Sequence, residues 1–418
     1  MCIDLKSFYA SVECAERGLD PFTTNLVVAD PDREKGTICL AITPAMKALG
    51  VKNRCRVYEI PAHIDYITAP PRMQLYIEYS AAIYGIYLKY ISKNDIHVYS
   101  IDESFLDMTS YMDYYGMTAK EIGKMIMDAI FRETAITATC GIGTNMYLAK
   151  IALDIVAKHT PDHIGVLSED DYCKKLWSHK PLTDFWRVGP GTAKKLAGYG
   201  VFSMGELAKM SQYNEDLLYK MFGVDAEILI DHAYGREPTK ISDIKRYKPK
   251  RSSLSSGQVL LRDYKFDEAK LVTKEMAELL CLDLVAQRLV TDSISLYVGY
   301  SHTVGCPSSG GSIALRTATS SAILIRPQIV DLFERIVNPY VPIRRINISF
   351  NHVIDEAYQQ YDLFTDPYEL ERERRMQKAA IEIKNRFGKN LILKGMNLEN
   401  GATTIERNAQ IGGHKSGV

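Results

Sequence analysis

The chain has 418 residues, and its 51 Lys plus Arg balance its 51 Asp plus Glu, so the formal net charge at pH 7 is zero. This length excludes a single compact core and predicts three or four domains. The balanced charge neither requires nor excludes a polyanionic partner, so any surface for nucleic acid has to be local.

The predicted elements begin with residues 3–16, where the end of a short strand passes directly into a helix. Thr43 and Pro44 then have the pattern of a helix N-cap followed by proline at the first helical position. Residues 98–108 read as two short strands around a bend, and residues 137–142 read as a further strand. These patterns predict helices that cover a mostly antiparallel sheet.

A helix between these strands is predicted from two signals. Thr118 and Glu121 form a capping box. Apolar residues then recur at positions 122, 125, 126, 129 and 130, which predicts a helix with one face packed on the sheet.

The remainder of the chain divides into three parts. Residues 168–232 read as wholly helical, and residues 233–247 are polar and basic, which is typical of a linker. Residues 253–353 follow the order strand, helix, strand, strand, helix, strand, which predicts a small ferredoxin-like sandwich. Beyond residue 355 we expect a charged helical stretch near 372–386 and a mobile glycine-rich end.

The cysteines and the apolar runs indicate the compartment. The eight cysteines are scattered, without a Cys-x-x-Cys pair or a histidine at zinc-ligand spacing, which predicts reduced thiols. No run of about eighteen apolar residues is present, and no cationic start leads into an apolar signal segment. We therefore expect a cytoplasmic protein without a membrane partner.

The strongest chemical signal is a set of three carboxylates. Asp4 ends the first predicted strand, and Asp102 and Glu103 are adjacent within residues 99–107. Three such groups repel one another unless divalent cations bind between them, and two cations can stabilise both oxygens of a phosphoryl transfer. Taken alone, an Asp-Glu pair more often marks a solvated turn, but this pair lies between apolar strand residues. The two side chains can share one site only at a bend.

Two glycine-containing junctions accompany the carboxylates. Residues 141–152 predict a strand that ends in glycines and opens a helix carrying Lys150, which suits a triphosphate or is an ordinary tight turn with an exposed lysine. Residues 188–196, followed by Gly200, have the form of a helix-hairpin-helix. Such a hairpin binds a DNA phosphate through backbone amides, although any glycine turn between helices looks similar.

These motifs in this order resemble the Y-family DNA polymerases, most closely the UmuC-like branch of bacteria. The motifs are Asp4 to Glu13, residues 99–107, residues 141–152 and residues 188–191. The resemblance covers nearly the whole chain. It implies an α+β multidomain fold shaped as a right hand, with a ferredoxin-like palm, small fingers, a helical thumb and a β-α-β-β-α-β little finger.

The implied domain boundaries follow the predicted elements. The domains are a palm at 1–9 and 70–165, fingers at 10–69, a helix-hairpin-helix thumb at 166–232, a linker at 233–247, a little finger at 248–355 and a C-terminal tail at 356–418.

The resemblance also implies residue roles. Asp4, Asp102 and Glu103, with the carbonyl of Leu5, would bind two Mg²⁺ ions, with Mn²⁺ as an alternative. Tyr9 would be the steric gate beneath the sugar of the incoming nucleotide. The remaining residues implied to contact the triphosphate pocket are Ser7, Phe8, Lys47 and Lys150. Taken without the resemblance, Phe8 and Tyr9 are more often ordinary core aromatics.

Some positions depart from the family pattern. Pro44 and Lys47 stand where many members carry Tyr and Arg, and lysine cannot form a bidentate fork. Met146 stands where many have a second lysine, and only three residues precede Asp4. These departures bear on triphosphate affinity and leave the reaction class unchanged.

The implied partners are primer–template DNA, deoxynucleoside triphosphates and a sliding clamp, with the chain as a monomer to which accessory subunits could add. The expected DNA contacts are Gly189, Gly191, Thr192, Lys194, Lys195, Lys248, Lys250 and Arg251. Gln360, Leu363 and Phe364 form a short clamp-binding peptide, in which two apolar side chains act as anchors.

The expected function is template-directed, low-fidelity DNA synthesis past damaged bases. Two alternatives remain open. A nucleotidyl cyclase shares the palm-like sheet and the metal carboxylates but has no use for a DNA hairpin. A catalytically idle, clamp-bound scaffold would not need all three carboxylates.

Overall fold

A computed structural model describes residues 1–33, 36–249, 253–356 and 366–417. Two compact units account for most of it, Met1–Lys248 and Pro249–Ser416. The division lies next to the end of the predicted linker.

The first unit combines two sheets with a helical segment. Its strands are β1 Cys2–Leu5, β2 Leu26–Val28, β3 Ala41–Ile42, β4 Ile67–Ala69, β5 Ile96–Val98, β6 Glu103–Leu106, β7 Ala138–Gly143 and β8 Ile164–Leu167. Its helices are α1 Phe8–Ala15, α2 Pro44–Ala48, α3 Met73–Tyr87, α4 Tyr111–Tyr115, α5 Ala119–Thr134, α6 Met146–Ile151, α7 Glu169–Leu176, α8 Pro190–Ala197, α9 Met204–Tyr213, α10 Glu215–Phe222, α11 Asp225–Ala233 and α12 Ile241–Arg246. A π-helical turn, Ala152–Val156, directly follows α6.

The second unit is built around one sheet. Its strands are β9 Ser253–Tyr264, β10 Leu289–Tyr300, β11 Ser309–Thr319, β12 Ile343–Asn351, β13 Ile354–Asp355, β14 Gln410–Ile411 and β15 His414–Lys415. Its helices are α13 Phe266–Gln287, α14 Ala322–Ile336, α15 Pro367–Phe387 and α16 Thr404–Asn408.

The central sheet of the first unit has the order β5-β6-β1-β7-β8. Neighbouring strands are antiparallel except for β7 and β8, which run parallel. The order β5-β6-β1-β7, with helices between β1 and β5 and between β6 and β7, is ferredoxin-like, so that prediction is confirmed. The register places Asp4 directly opposite Glu103.

Local signals for two helices had different outcomes. At α5, the Thr118 hydroxyl accepts from the Glu121 amide at 3.3 Å, and Glu121 accepts from the Thr118 amide at 2.8 Å, so the capping box is confirmed. At α2, Pro44 occupies the first turn as predicted, but Thr43 makes no side-chain cap. The Thr43 hydroxyl instead accepts from the Leu26 amide at 3.1 Å, because Thr43 lies beside the small sheet β3-β2-β4.

The predicted linker contains structure. α12 lies within residues 233–247, and its first residue, Ile241, is buried in a cluster with Cys2 and Phe105 of the central sheet. The prediction of a polar, basic linker gave no helix here, whereas the structure has this short helix with Ile241 packed against the central sheet.

The sheet of the second unit has the order β11-β10-β12-β9, and every neighbouring pair is antiparallel. The predicted sequence of strands and helices is confirmed. The ferredoxin-like strand order expected for this sandwich is wrong, because the last strand, β12, lies between β9 and β10. α13 and α14 form the core with the sheet.

The charged helical stretch expected near 372–386 is confirmed within α15. The glycine-rich end, which was expected to be mobile, forms the β14–β15 hairpin, and the segment before it packs on α13. The carboxylate of Glu275 on α13 is buried and accepts from the Asn397 side chain at 2.8 Å and the Thr403 amide at 2.7 Å. Gly412 and Gly413 both have positive φ and form the turn between β14 and β15, an arrangement that favours glycine. This final segment is a folded layer on α13, which we call the C-terminal layer.

Candidate active site

The three predicted carboxylates lie together where β1 ends and β6 begins, in the middle of the central sheet. Asp4 lies on β1 opposite Glu103, the first residue of β6, and Asp102 occupies the bend just before that strand. The amide of Leu5 donates to the carbonyl of Asp102 at 2.9 Å, which holds the bend against β1. The bend required for Asp102 and Glu103 to share a site is therefore present.

The electrostatics of Asp4 show how closely the carboxylates are grouped. Burial, and then the charges of Asp102 and Glu103, raise the pKa of Asp4 to about 7, against the opposing effect of Lys150. A carboxyl group whose pKa is raised by burial and by neighbouring negative charges is stabilised as an anion when a cation binds beside it. Carboxylate and carbonyl oxygens are the ligands that Mg²⁺ prefers, so the chemistry of the donors fits a divalent cation.

Glu103 already has partners for both oxygens. Lys150 donates to Oε2 at 2.9 Å, and the Cys2 thiol donates to Oε1 at 3.1 Å. Lys150 also pairs with Asp154 at 3.2 Å. Within the described ranges, no three His, Cys, Asp or Glu side chains are arranged as a ready set of metal ligands. The carboxylates are thus grouped, but Glu103 is directed to Lys150.

The cations around Asp4 form a second feature of the site. Burial lowers the pKa of Lys150, but Asp154 and Glu103 outweigh this effect and raise it above its ordinary value. Partial desolvation lowers the pKa of Lys47, with Asp4 opposing and the charges of Lys6 and Lys158 adding to the effect. Lys6 and Lys158 therefore add positive charge around Lys47, which itself interacts with Asp4, and this concentration of charge suits an anionic ligand.

The two aromatic residues after β1 differ in their burial and in their contacts. Phe8 is buried, whereas Tyr9 is half-buried and stacks on Tyr76 with ring centroids 4.5 Å apart. Burial and Asp102 raise the pKa of Tyr9, and Arg54 opposes them, so the phenol lies near the carboxylates. Ser7 joins β1 to α1 at a positive φ, and its buried hydroxyl has no hydrogen-bond partner among the described residues.

Tyr76 is held by a buried acid. Glu13 on α1 is fully buried and accepts from the Tyr76 hydroxyl at 2.7 Å and from Arg72 at 2.8 and 2.9 Å, and it also pairs with Arg17. Burial favours the neutral acid, but hydrogen bonds from Arg72, Tyr76 and Arg17 prevail and lower the pKa of Glu13. This cluster, which we call the Glu13 cluster, fixes the ring on which Tyr9 stacks.

Comparison with known proteins shows which protein family the chain belongs to. Two models match, the impB/mucB/samB family over residues 3–154 and the impB/mucB/samB family C-terminal domain over residues 251–363. The putative UV-damage repair protein UvrX of Bacillus subtilis (strain 168) is 31% identical across 100% of this chain and 97% of its own length. DNA polymerase IV 2 of the same strain is 30% identical across 99% of this chain and 97% of its own length.

The chain belongs to the Y-family of DNA polymerases. A solved Y-family DNA polymerase chimera, Dbh-Dpo4(243-245)-Dbh, matches with a TM-score of 0.63 over 85% of this chain and 98% of that chain, at 19% identity. This likeness supports the Y-family fold. No helix in the described ranges has the length and apolar character needed to cross a membrane.

The hairpin of this Y-family chain lies before and within α8. Gly189 is the N-cap of α8, Gly189 and Gly191 are exposed, and a Cβ added at either would meet open space. The element before it is only a 3₁₀ turn, Leu182–Asp184, so the first helix of the motif is much reduced. Thr192 is half-buried in the first turn of α8.

The predicted cations around this hairpin differ in their surroundings. Lys194 is exposed, whereas Lys195 donates to the Met221 carbonyl at 3.3 Å and lies over the Phe222 ring. Lys248 is exposed at the end of the first unit. Lys250 and Arg251 lie outside the described residues, as do Gln360, Leu363 and Phe364 of the clamp peptide.

Several residues of the site were not predicted from the sequence. Glu13 and Tyr76 support Tyr9, and Lys6 and Lys158 add positive charge around Lys47. No local signal connects Tyr76 with Tyr9, because they are 67 positions apart in the chain.

Proposed function

We propose that this Y-family chain adds deoxynucleotides to a primer 3′-hydroxyl as directed by a template, with low fidelity and past damaged template bases. The observation that carries the proposal is Asp4 opposite Glu103, with Asp102 on the adjoining bend, in a member of a DNA polymerase family. Three acidic side chains brought together at the ends of neighbouring strands repel one another unless divalent cations occupy the site.

Asp4, Asp102 and Glu103, with the Leu5 carbonyl, would hold two Mg²⁺ ions, and Mn²⁺ is an alternative with the same oxygen ligands. When bound, such ions stabilise the attacking and leaving oxygens of a phosphoryl transfer. Lys150 holds the Glu103 carboxylate at the start of β6 through a hydrogen bond of 2.9 Å. In the proposed enzyme, Lys150 keeps this carboxylate within reach of the site and offers its charge to the triphosphate.

The other substrate contacts are proposed from position and charge. Lys47, aided by Lys158, would attract the triphosphate as a point charge without a bidentate fork. Tyr9 would lie beneath the sugar and exclude a 2′-hydroxyl, supported from behind by Tyr76. Ser7 lies at the turn before Tyr9, and Phe8 shapes the pocket from the core.

We assign the domains as the resemblance implied, with one change. The palm, fingers and thumb lie in Met1–Lys248, and the little finger begins in the second unit. The C-terminal layer is assigned to the little finger because it packs on α13. The hairpin amides near Gly191 and Thr192, with Lys194 and Lys195, would bind DNA phosphates, joined by Lys248, Lys250 and Arg251.

A primer-extension assay on matched undamaged and abasic templates tests the proposal. We expect Mg²⁺-dependent extension on the undamaged template and measurable insertion opposite the abasic site. Formation of a cyclic nucleotide without a primer would support the cyclase alternative. DNA binding without either reaction would support the idle scaffold.

A clamp partner is proposed for residues 360–364 and has its own test. Replacing Leu363 and Phe364 with alanine should leave distributive extension of a short primer unchanged and abolish stimulation by a bacterial sliding clamp. The two apolar anchors of a docked peptide carry most of its binding energy, roughly 2 kcal/mol or more each. Full clamp stimulation of the double variant would identify the motif as a chance match.

A further inference from the structure

Trp186 connects the hairpin to the turn that carries two of the carboxylates. Trp186 lies three residues before Gly189, and Tyr99 lies three residues before Asp102. The indole Nε1–H of Trp186 donates to the Tyr99 hydroxyl at 3.1 Å. The two rings meet edge to face, with centroids 5.8 Å apart and planes at 82°.

Tyr99 is the first residue of a closed turn. The amides of Tyr99 and Ser100 both donate to the Glu103 carbonyl at 3.0 Å, and the Ser100 hydroxyl donates to the Asp102 carboxylate at 2.6 Å. Asp102 and Glu103 thus lie inside a small ring of hydrogen bonds that begins at Tyr99. Tyr99 is thus joined to the backbone of Glu103, and its neighbour Ser100 to the carboxylate of Asp102.

Trp186 is itself held from two sides. Its ring lies 5.8 Å from Phe105 of β6 and 6.2 Å from the nearly parallel ring of His232 on α11. His232 is buried, stacks on Tyr147 at 4.0 Å and pairs with Glu237 at 3.1 Å. These ring contacts hold the indole in place beside the helical segment, and its N–H is directed at Tyr99.

We propose that Trp186 is a positioning residue that couples the seating of DNA on the hairpin to the placement of Asp102 and Glu103. The inference rests on the proposed function, because it takes the hairpin as a DNA contact and the carboxylates as catalytic. DNA bound to the backbone amides near Gly191 fixes the position of the segment that carries Trp186. The Trp186–Tyr99 hydrogen bond in turn fixes the turn that carries Asp102 and Glu103 relative to this segment. Bound primer–template thereby helps to hold the two carboxylates in their working positions.

The test uses Trp186→Phe, Tyr99→Phe and the double variant in single-turnover insertion of one deoxynucleotide at saturating primer–template. Each single variant removes one partner of the same neutral hydrogen bond and should lower the maximal rate by about threefold to tenfold. The Kd for DNA and the KM for the nucleotide should stay within about twofold of the parent. The double variant should be no slower than the slower single variant, because both changes remove one shared bond.

Trp177→Phe is the matched control. Trp177 also lies in the helical segment and donates its indole N–H, but to the Ala233 carbonyl at 2.8 Å and away from the carboxylate turn. Its maximal rate should equal that of the parent. If Trp186→Phe unfolds, as judged by circular dichroism, Tyr99→Phe still tests the same bond.

Two results would overturn the coupling. One is an unchanged maximal rate in Trp186→Phe and Tyr99→Phe, and the other is a double variant whose loss equals the product of the single losses. A parent enzyme that extends no primer would instead refute the proposed function. Extension by the parent with either of the first two results would leave the function standing and remove the coupling alone.

Discussion

Replacing Glu13 with glutamine should destabilise the first unit strongly, because this acid is the charged centre of the Glu13 cluster. Its side chain is fully buried and faces two arginines and one tyrosine hydroxyl. Breaking a buried charge pair by removing one partner costs about 3–5 kcal/mol. The Arg17 and Arg72 side chains are 34% and 32% exposed, so solvent screens part of this cost. We expect a loss of about 2–3 kcal/mol.

The chain offers a selective probe for this measurement. Its only two tryptophans, Trp177 and Trp186, both lie in Met1–Lys248, so tryptophan fluorescence during urea or thermal unfolding follows that unit. For a unit of this size the expected loss corresponds to a fall in Tm of roughly 5–10 °C. The control is Glu16→Gln at the end of the same helix. Glu16 is 34% exposed and lies 3.9 Å from Arg72, so its loss should stay below about 1 kcal/mol.

The lowered pKa of Glu13 also predicts how the loss of stability in Glu13→Gln depends on pH. The pKa of Glu13 in the folded chain lies below its ordinary value of 4.5, so its contribution is fully present above that pH. The contribution is lost as pH falls through the lowered pKa. The stability difference between parent and Glu13→Gln should therefore be constant near neutral pH and shrink in acid. A difference under about 1 kcal/mol at pH 7, or one that grows in acid, would refute the reasoning.

Further outcomes follow from the active site and the DNA surface. Asp102→Asn should reduce primer extension by more than about a hundredfold and leave primer–template binding nearly unchanged, and residual extension within about tenfold of the parent would contradict the metal assignment. Tyr9→Ala should raise ribonucleotide incorporation in a competition assay, and unchanged sugar preference would transfer the gate to Phe8. Replacing Lys194 and Lys248 together with alanine should lower the slope of log K against log salt by about 1.8, at about 0.9 for each lost phosphate contact. An unaltered slope would locate the DNA elsewhere.

The sequence predicted those parts of the site that depend on neighbours along the chain. Asp102 and Glu103 could share a site only at a bend, and the bend is present. The capping box of Thr118 and Glu121 formed because both partners lie within one helical turn. Thr43 had an equally good local pattern, yet its hydroxyl bonds to Leu26 across the small sheet. A local pattern therefore places the element, while tertiary contacts decide the side chain's partner.

Contacts between distant residues could not be predicted from a single sequence. Lys150 looked like a free triphosphate ligand, and only the fold shows it paired with Glu103, 47 positions earlier. The polar run after residue 355 looked like a tail because its anchoring acid, Glu275, lies in the middle of an earlier helix. The strand order of the second unit depends on whether β12 or β11 lies between β9 and β10, and both orders fit the same hydrophobic pattern.

The C-terminal layer also determines when the second unit can complete its folding during translation. Glu275 emerges roughly 120 residues before Asn397, Thr403 and Thr404, which donate all of its hydrogen bonds among the described residues. At about 5–20 residues per second, translation takes about 6–24 s to supply them. During that interval α13 carries an acid that is costly to bury. The second unit therefore reaches its final packing only after residue 404 has been synthesised, and a chain that stops before residue 397 leaves this face of α13 uncovered and accessible to proteases.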